Sequence, residues 1–222
     1  MLNVFHPGRS LIGRVEPGTT YLSGARLLAL EAHLRAVHRH NVPGAIVECG
    51  VAAGGSAALI GLWLRQRQSG RPLVLFDTFA GLPAPNANDP DYADAVAWAG
   101  KCVGTRADVT ALFERQGVDL THVVFVEGMF QDTIPRHAPP SIALLHLDGD
   151  WYDSTKHCIE NLWPRVSPGG RVQIDDYGCW QGCRKAVDEF RATNPGVRLR
   201  WIDDQGVWLR KPMAASQRVG VS

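Results

Sequence analysis

The sequence of 222 residues predicts an α/β fold, with a mostly parallel, twisted β-sheet and helices on both of its faces. Three observations support this prediction. Apolar runs of strand length alternate with segments of helical periodicity, a glycine turn joins the first strand to a helix, and two short strand patterns close the chain as a hairpin. Parallel strands that alternate with helices require crossover connections, which place helices on both faces of the sheet.

The first predicted elements are a long helix and a strand–turn–helix unit. Ser23 is suited to cap a helix over residues 23–39, in which leucines recur at helical spacing. Residues 45–51 are apolar enough for a buried strand. The glycines in Gly54-Gly55-Ser56 then turn the chain into a helix that ends near Gln68, before Ser69 and Gly70.

The same alternation predicts the rest of the sheet. Strands are expected over residues 73–77, 123–127, 142–148 and 171–175, and helices over residues 106–116, 154–165 and 182–193. Residues 198–203 and 207–210 flank Asp204-Gln205-Gly206, which predicts a hairpin. This hairpin should form an antiparallel edge of the sheet.

Length and composition favour a single domain over residues 1–222, because a chain this long with 45% hydrophobic residues can bury a substantial core. Two segments fall outside the alternation. Residues 83–104 are rich in Pro, Asn, Asp and Ala, which indicates either a lid over a binding site or a mobile surface insertion. Residues 213–222 are small and polar, and predict a flexible tail.

Charge and composition limit the classes of partner. The chain has 23 Lys and Arg against 22 Asp and Glu, a net charge of +1, which argues against nucleic acid or a membrane surface as the main partner. A small molecule is the expected partner, and association with further copies of the chain is left open. Without a membrane-length apolar stretch or a signal-peptide pattern, a cytoplasmic location is expected. Five scattered cysteines do not form a disulfide pattern.

Acidic residues gather where predicted strands end. Asp148 and Asp150 lie in His-Leu-Asp-Gly-Asp, Asp175 and Asp176 lie in Gln-Ile-Asp-Asp-Tyr, and Asp77 ends Val-Leu-Phe-Asp. The carboxyl ends of parallel strands border the ligand crevice, so these carboxylates can converge on one hard cation. The pattern therefore predicts a divalent metal at a catalytic centre. Helix capping could explain any one of these residues alone.

The glycine turn indicates a nucleotide-type site, with Glu48 inside the strand and glycines before a helix N-terminus. The spacing departs from Gly-x-Gly-x-x-Gly and no phosphate-binding Lys follows, which favours a cationic cofactor without phosphate and disfavours a nucleotide-dependent oxidoreductase. Glu48 could counter the charge of that cofactor or hold the helix in place, and a generic tight turn is the alternative. Asp77 is placed to accept hydrogen bonds from ribose hydroxyls, or to cap its loop.

Motifs in this order resemble the macrocin O-methyltransferase family. They are Glu48-Cys-Gly-Val51, Gly54-Gly-Ser56, Phe76-Asp-Thr-Phe-Ala-Gly-Leu-Pro83, Glu127-Gly-Met-Phe-Gln-Asp-Thr-Ile-Pro135, Leu147-Asp-Gly-Asp-Trp-Tyr-Asp-Ser154, Pro168-Gly-Gly170 and Asp175-Asp-Tyr-Gly178. The resemblance covers about residues 21–210. It implies the Rossmann-like fold of class I methyltransferases, and an enzyme that uses S-adenosylmethionine and a divalent metal to methylate sugar hydroxyls on antibiotics.

The resemblance also implies a role for each matching residue. Gly50, Gly54 and Ser56 would lie beside the methionine part of the cofactor, Asp77 at the ribose, Gly128 and Met129 by the adenine, and Asp148, Asp175 and Asp176 on the metal. Mg²⁺ is the expected ion because it prefers oxygen ligands, with Mn²⁺ or Ca²⁺ as alternatives.

The catalytic base is implied to be Asp150, two residues beyond Asp148. Another branch of the family has His one position later, where this chain has Trp151. His146 is an alternative base, although a lone His within an apolar strand is more often a core residue. Trp151 and Trp180 each lie next to an acidic motif, where they could stack on a sugar or pack in the core.

The function predicted from the sequence is methyl transfer from S-adenosylmethionine to a hydroxyl of a small molecule, with a sugar on a glycosylated natural product as the expected acceptor. A metal bound to the hydroxyl would lower its pKa. A catechol or phenol O-methyltransferase and a scaffold protein that binds the cofactor without catalysis are the alternatives.

Overall fold

The computed structural model describes residues 10–213, so the predicted tail falls outside the described residues apart from Met213. Seven strands form the sheet: β1 (Ala45–Cys49), β2 (Leu73–Asp77), β3 (Val123–Glu127), β4 (Ile142–Leu147), β5 (Val166–Ile174), β6 (Leu199–Trp201) and β7 (Val207–Arg210). Their order is β3-β2-β1-β4-β5-β7-β6. The first five strands are parallel, and β7 pairs antiparallel with both β5 and β6.

Seven α-helices accompany the described strands: α1 (Gly24–Arg39), α2 (Gly55–Gln66), α3 (Tyr92–Ala95), α4 (Arg106–Gln116), α5 (Phe130–His137), α6 (Tyr152–Leu162) and α7 (Gln181–Thr193). One hydrophobic cluster joins α1, α2 and α4 to the sheet, and a second joins α5, α6 and α7 to it. Every residue of β1 and β4 is buried, as expected for central strands covered on both faces. The predicted α/β architecture is therefore confirmed. Among residues 10–213, no helix is long and apolar enough to span a membrane.

The strand order determines where a ligand can bind. After β3 at one edge, the chain crosses over to place β4 on the other side of β1. In open α/β sheets, such a reversal opens a crevice at the carboxyl ends of the two central strands. The glycine turn follows β1 at this crevice, and the Asp148 motif follows β4.

Helix α6 begins and ends earlier than predicted, β6 is shorter than predicted, and two elements differ more strongly. Strand β5 begins at Val166 rather than Arg171, and it includes Pro168-Gly-Gly170 because an irregularity in its register with β4 accommodates the extra residues. Gly169 has a positive φ of 81° at this point. Helix α5 was not predicted, since it has eight residues, contains Pro135 and shows no sustained apolar repeat.

Residues 83–104 contain α3 and a 3-10 turn at Val96–Trp98. Pro83, Trp98 and Cys102 from this segment form part of a cavity wall. Whether the segment opens as a lid stays a prediction.

Candidate active site

A cavity of about 360 Å³ lies at the carboxyl ends of the central strands, within the size range of ligand pockets. Its wall includes these predicted site residues: Gly50, Asp77, Met129, Asp148, Asp150, Asp175 and Asp176. The other predicted site residues, Glu48, Gly54, Ser56, Gly128 and His146, are not part of the wall. The cavity therefore combines residues predicted for the cofactor with the acidic cluster.

Three carboxylates converge in this cavity. Asp148, Asp150 and Asp176 each offer an oxygen atom, and these oxygens lie within 4.8 Å of one another. Asp150 has a positive φ of 53°, and its backbone N–H donates to Oδ2 of Asp176 at 3.0 Å. This all-oxygen donor set fits a hard cation such as Mg²⁺.

Asp175 is not among these three converging carboxylates, and it contacts Arg26 of α1 instead. The Arg26 guanidinium forms a buried ion pair with Asp175 and a second one, at 3.2 Å, with Asp203. Oδ1 of Asp175 has no hydrogen-bond partner among residues 10–213. The sequence analysis did not identify Arg26. Its spacing of four residues from Leu30 and eight from Leu34 places this cation on the buried face of α1, which could have indicated a buried acidic partner.

Crowding of carboxylates changes their proton affinity. Burial, followed by the charges of neighbouring carboxylates, raises the pKa of Asp176 to about 8 and that of Asp175 to about 7. Burial also raises the pKa of Asp150 to about 7, against the opposing effect of a hydrogen bond from Trp180. The pKa of Asp148 is raised by burial and by its acidic neighbours. A cation in the cavity would relieve this repulsion.

The two tryptophans that follow the acidic motifs have different surroundings. Trp180 lines the cavity, and its indole Nε1–H donates to Oδ1 of Asp150 at 3.0 Å. Trp151 is buried, donates to the carbonyl oxygen of Pro83 at 2.8 Å, and packs against Trp180 with ring centroids 5.0 Å apart. Trp151 is thus a packing residue, whereas Trp180 is available to a ligand.

Glu48 and His146 form a pair inside the sheet. They face each other on β1 and β4, with Glu48 Oε1 2.7 Å from His146 Nδ1, and both side chains are fully buried. Burial lowers the pKa of His146, but the hydrogen bond and charge of Glu48, together with the charges of Asp175 and Asp176, outweigh this effect and raise the net pKa. The structure therefore places both residues in the core and away from the cavity wall.

Asp77 organises the loop that follows β1. Its Oδ2 accepts hydrogen bonds from the backbone N–H groups of Val51 at 2.6 Å and Ala52 at 3.1 Å, and its Oδ1 accepts from Phe79 at 2.7 Å. A carboxylate offers about four lone-pair sites, so most of its capacity is used by its own chain. Gly50 has a φ of 89°, and a side chain there would collide with the backbone of Asp148. The two strand ends therefore approach closely at Gly50.

Comparison with known proteins identifies relatives of this chain. The family model for macrocin-O-methyltransferase (TylF) matches residues 12–211. An 8-demethyl-8-(2,3-dimethoxy-alpha-L-rhamnosyl)-tetracenomycin-C 4'-O-methyltransferase from Streptomyces olivaceus is 36% identical over 216 residues, which is 93% of this chain and 82% of the relative. A demethyldecarbamoylnovobiocin O-methyltransferase from Streptomyces niveus is 36% identical, over 78% of this chain and 68% of the relative.

A solved structure shows the same fold. The O-methyltransferase NovP superposes with a TM-score of 0.80 at 32% sequence identity, covering 87% of this chain and 82% of NovP.

Proposed function

The chain belongs to the macrocin O-methyltransferase family, and on this premise we propose that it methylates a sugar hydroxyl of a glycosylated natural product with the help of a divalent cation. The chain has the class I methyltransferase fold and is an O-methyltransferase that depends on S-adenosylmethionine. We further propose that the 222 residues form one domain. The sugar acceptor, the cation and the role of each site residue also belong to the proposal.

The observation that carries the proposal is the convergence of Asp148, Asp150 and Asp176 in the cavity that also contains Gly50 and Asp77. Gly50 and Asp77 belong to the turn that would receive S-adenosylmethionine, the donor of an activated methyl group. The acidic cluster and the cofactor turn therefore line the same cavity, so an acceptor held by the cluster would lie near the methyl donor.

Asp148 and Asp176 would hold the cation, with Mg²⁺ as the expected ion. Asp175, the third ligand that the sequence predicts, directly follows the end of β5. When bound, such a cation supplies Lewis-acid polarisation of the acceptor oxygen and lowers the pKa of the hydroxyl. Arg26 holds one face of Asp175 in place.

Asp150 would accept the proton of the acceptor hydroxyl as the oxygen gains the methyl group. Without a cation in the cavity, burial raises the pKa of Asp150 to about 7, so this carboxylate has a higher proton affinity than an exposed one. The Trp180 N–H keeps Oδ1 of this carboxylate in a fixed position, and Oδ2 accepts no hydrogen bond from the described residues. Asp150 therefore has one oxygen fixed by Trp180 and the other available for the proton.

Support for a sugar acceptor comes from the cavity mouth and from the relatives. Tyr21 and Trp98 line the cavity with exposed fractions of 64% and 38%, and aromatic faces of this kind stack on the apolar faces of sugars. The tetracenomycin relative is named for a rhamnosyl acceptor.

Incubation with a panel of glycosylated metabolites and their aglycones, with and without Mg²⁺, tests the proposal. We expect methyl transfer to glycosides alone, loss of turnover in EDTA, and retained S-adenosylmethionine binding by an inactive Asp148→Ala variant. Full turnover in excess EDTA would overturn the metal-dependent part. Methylation of aglycones in preference to glycosides would overturn the sugar acceptor, and cofactor binding without any transfer would favour the scaffold alternative.

A further inference from the structure

The helices that follow the two acidic motifs begin without a cap from the residue that precedes them. Helix α6 starts directly after Trp151, and α7 starts directly after Trp180, and neither tryptophan caps its helix through a side-chain hydrogen bond. An indole has an N–H donor and no acceptor, so it cannot satisfy the free N–H groups of a helix N-terminus. These groups need acceptors from elsewhere.

The acceptors come from residues 83–104, which we call the bridging loop. Asp89 Oδ1 accepts a hydrogen bond from the backbone N–H of Tyr152, the first residue of α6, at 2.8 Å. Asp91 Oδ2 accepts one from the backbone N–H of Gln181, the first residue of α7, at 2.7 Å. Two carboxylates of one loop thus cap both helices, and their charge is favourable at these positive helix ends.

Asp89 lies in a tightly packed position. Asp89 is only 3% exposed. Its Oδ2 accepts a hydrogen bond from the backbone N–H of Asn86 at 3.0 Å. A side chain at Gly182 would collide with Oδ1 of Asp89 and with the backbone of Tyr152. The carboxylate therefore sits in the contact between the starts of α6 and α7.

Further hydrogen bonds connect the bridging loop to α6. The indole of Trp151 donates to the carbonyl of Pro83, and the side-chain amides of Asn86 and Asn88 donate to the carboxylate of Asp153 at 2.6 and 3.1 Å. The loop and the first turn of α6 are thus joined at several points.

We propose that Asp89 and Asp91 are positioning residues for the acidic cluster, an inference that rests on the proposed methyl transfer. Asp150 lies two residues before the N–H that Asp89 caps, and Asp176 lies five residues before the N–H that Asp91 caps. The backbone N–H of Asp150 donates to Asp176, so the distance between the two motifs depends on how the two helix starts are held. The loop that also supplies Trp98 to the cavity wall thereby fixes the carboxylates opposite it.

Asp89→Ala and Asp91→Ala test this proposal, with Asp94→Ala as the matched control. Asp94 belongs to the same loop and has the same charge, but it is exposed and has no side-chain hydrogen bond to α6 or α7 within the described part of the chain. Asp89→Asn, which retains a carbonyl oxygen for the Tyr152 N–H, serves as the conservative variant and as a second choice if Asp89→Ala does not fold.

Three measurements decide the outcome. Hydrogen exchange at the Tyr152 and Gln181 amides reports the caps, titration with Mn²⁺ reports the cluster, and kcat and KM report the reaction. We expect faster exchange, and Mn²⁺ affinity and kcat lowered by about 10-fold, the range for residues that orient the ligands of a metal. KM and the affinity for S-adenosylhomocysteine should stay within about 2-fold of wild type, since the cofactor turn is not touched. Asp89→Asn should regain part of the loss.

Faster exchange with unchanged Mn²⁺ affinity and kcat would overturn the positioning role. Asp89 and Asp91 would then only cap α6 and α7. An equal loss in Asp94→Ala would overturn it as well, because the effect would then follow loop charge alone. A wild-type chain that methylates no glycoside would remove the proposed function instead, while exchange and Mn²⁺ titration of the same variants would still decide the role of the two aspartates.

Discussion

Replacement of Asp150 by asparagine removes the proposed base and leaves most of its surroundings unchanged. The Trp180 N–H donates to Oδ1 of Asp150, so an amide oxygen is expected to take this position and the amide NH₂ to replace Oδ2. That NH₂ can no longer accept a proton, yet it is neutral, and it reduces the repulsion among the carboxylates of Asp148 and Asp176. Loss of a positioned general base lowers kcat by about 10² to 10⁴, which is about 2.7 to 5.4 kcal/mol in activation free energy.

His146→Gln is the matched variant for this prediction. His146 is fully buried, 2.7 Å from Glu48, and does not form part of the cavity wall. We expect the substitution to cost about 1 to 3 kcal/mol in unfolding free energy, because it disturbs a buried polar pair, and to lower kcat far less than Asp150→Asn does.

The assay combines steady-state kinetics on a glycoside acceptor with Mn²⁺ titration and thermal melting of each variant. Asp150→Asn should keep its KM, its cofactor affinity and most of its metal affinity while kcat falls. A nearly wild-type Asp150→Asn, together with a folded, metal-loaded and inactive His146→Gln, would refute the reasoning and transfer the role of base to the histidine.

Three further predictions concern the cofactor turn, the pH response and Trp180. Asp77→Ala should weaken stabilisation by S-adenosylmethionine, which at a hundredfold excess over Kd is about 2.7 kcal/mol for wild type; equal stabilisation by NAD in melting scans would contradict the cofactor assignment. The pKa values of Asp150, Asp175 and Asp176 rise to about 7 or 8 on folding, so the folded chain binds protons more tightly than the unfolded chain. The free energy of unfolding without metal should therefore decrease as the pH rises from about 4 to 8. Mg²⁺ should then raise Tm more at pH 8 than at pH 6, and a metal-free Tm that increases over this range would count against the cluster. Trp180→Phe keeps an aromatic ring but removes the N–H to Asp150, so kcat should fall while KM changes little; a change confined to KM would assign Trp180 to acceptor binding alone.

Much of the fold could be predicted because local patterns determine it. The bounds of β2, β3 and α4 were predicted to the residue, and Ser23 caps α1 as expected. The position of the acidic motifs also followed from the sequence, since residues just after neighbouring parallel strands share one edge of a sheet.

Contacts between distant segments could not be predicted in the same way. The Arg26 pair with Asp175 joins α1 to the residue that follows β5. The Glu48 pair with His146 depends on the register of β1 against β4, which no local pattern specifies. Helix α5 is too short for its apolar residues to repeat. The caps from Asp89 and Asp91 were hidden because both lie in a segment without periodicity, far in sequence from the helices they contact.

The bridging loop has a consequence for efforts to change acceptor preference by grafting loops between relatives. A donor segment that supplies different cavity residues in place of Trp98 must also bring one carboxylate to Tyr152 and another to Gln181. Here a spacing of two residues, Asp89 to Asp91, serves both helices, and the recipient needs glycine at position 182 to accept the first of them. Chimeras should therefore be designed with the loop and the starts of α6 and α7 as one exchangeable module.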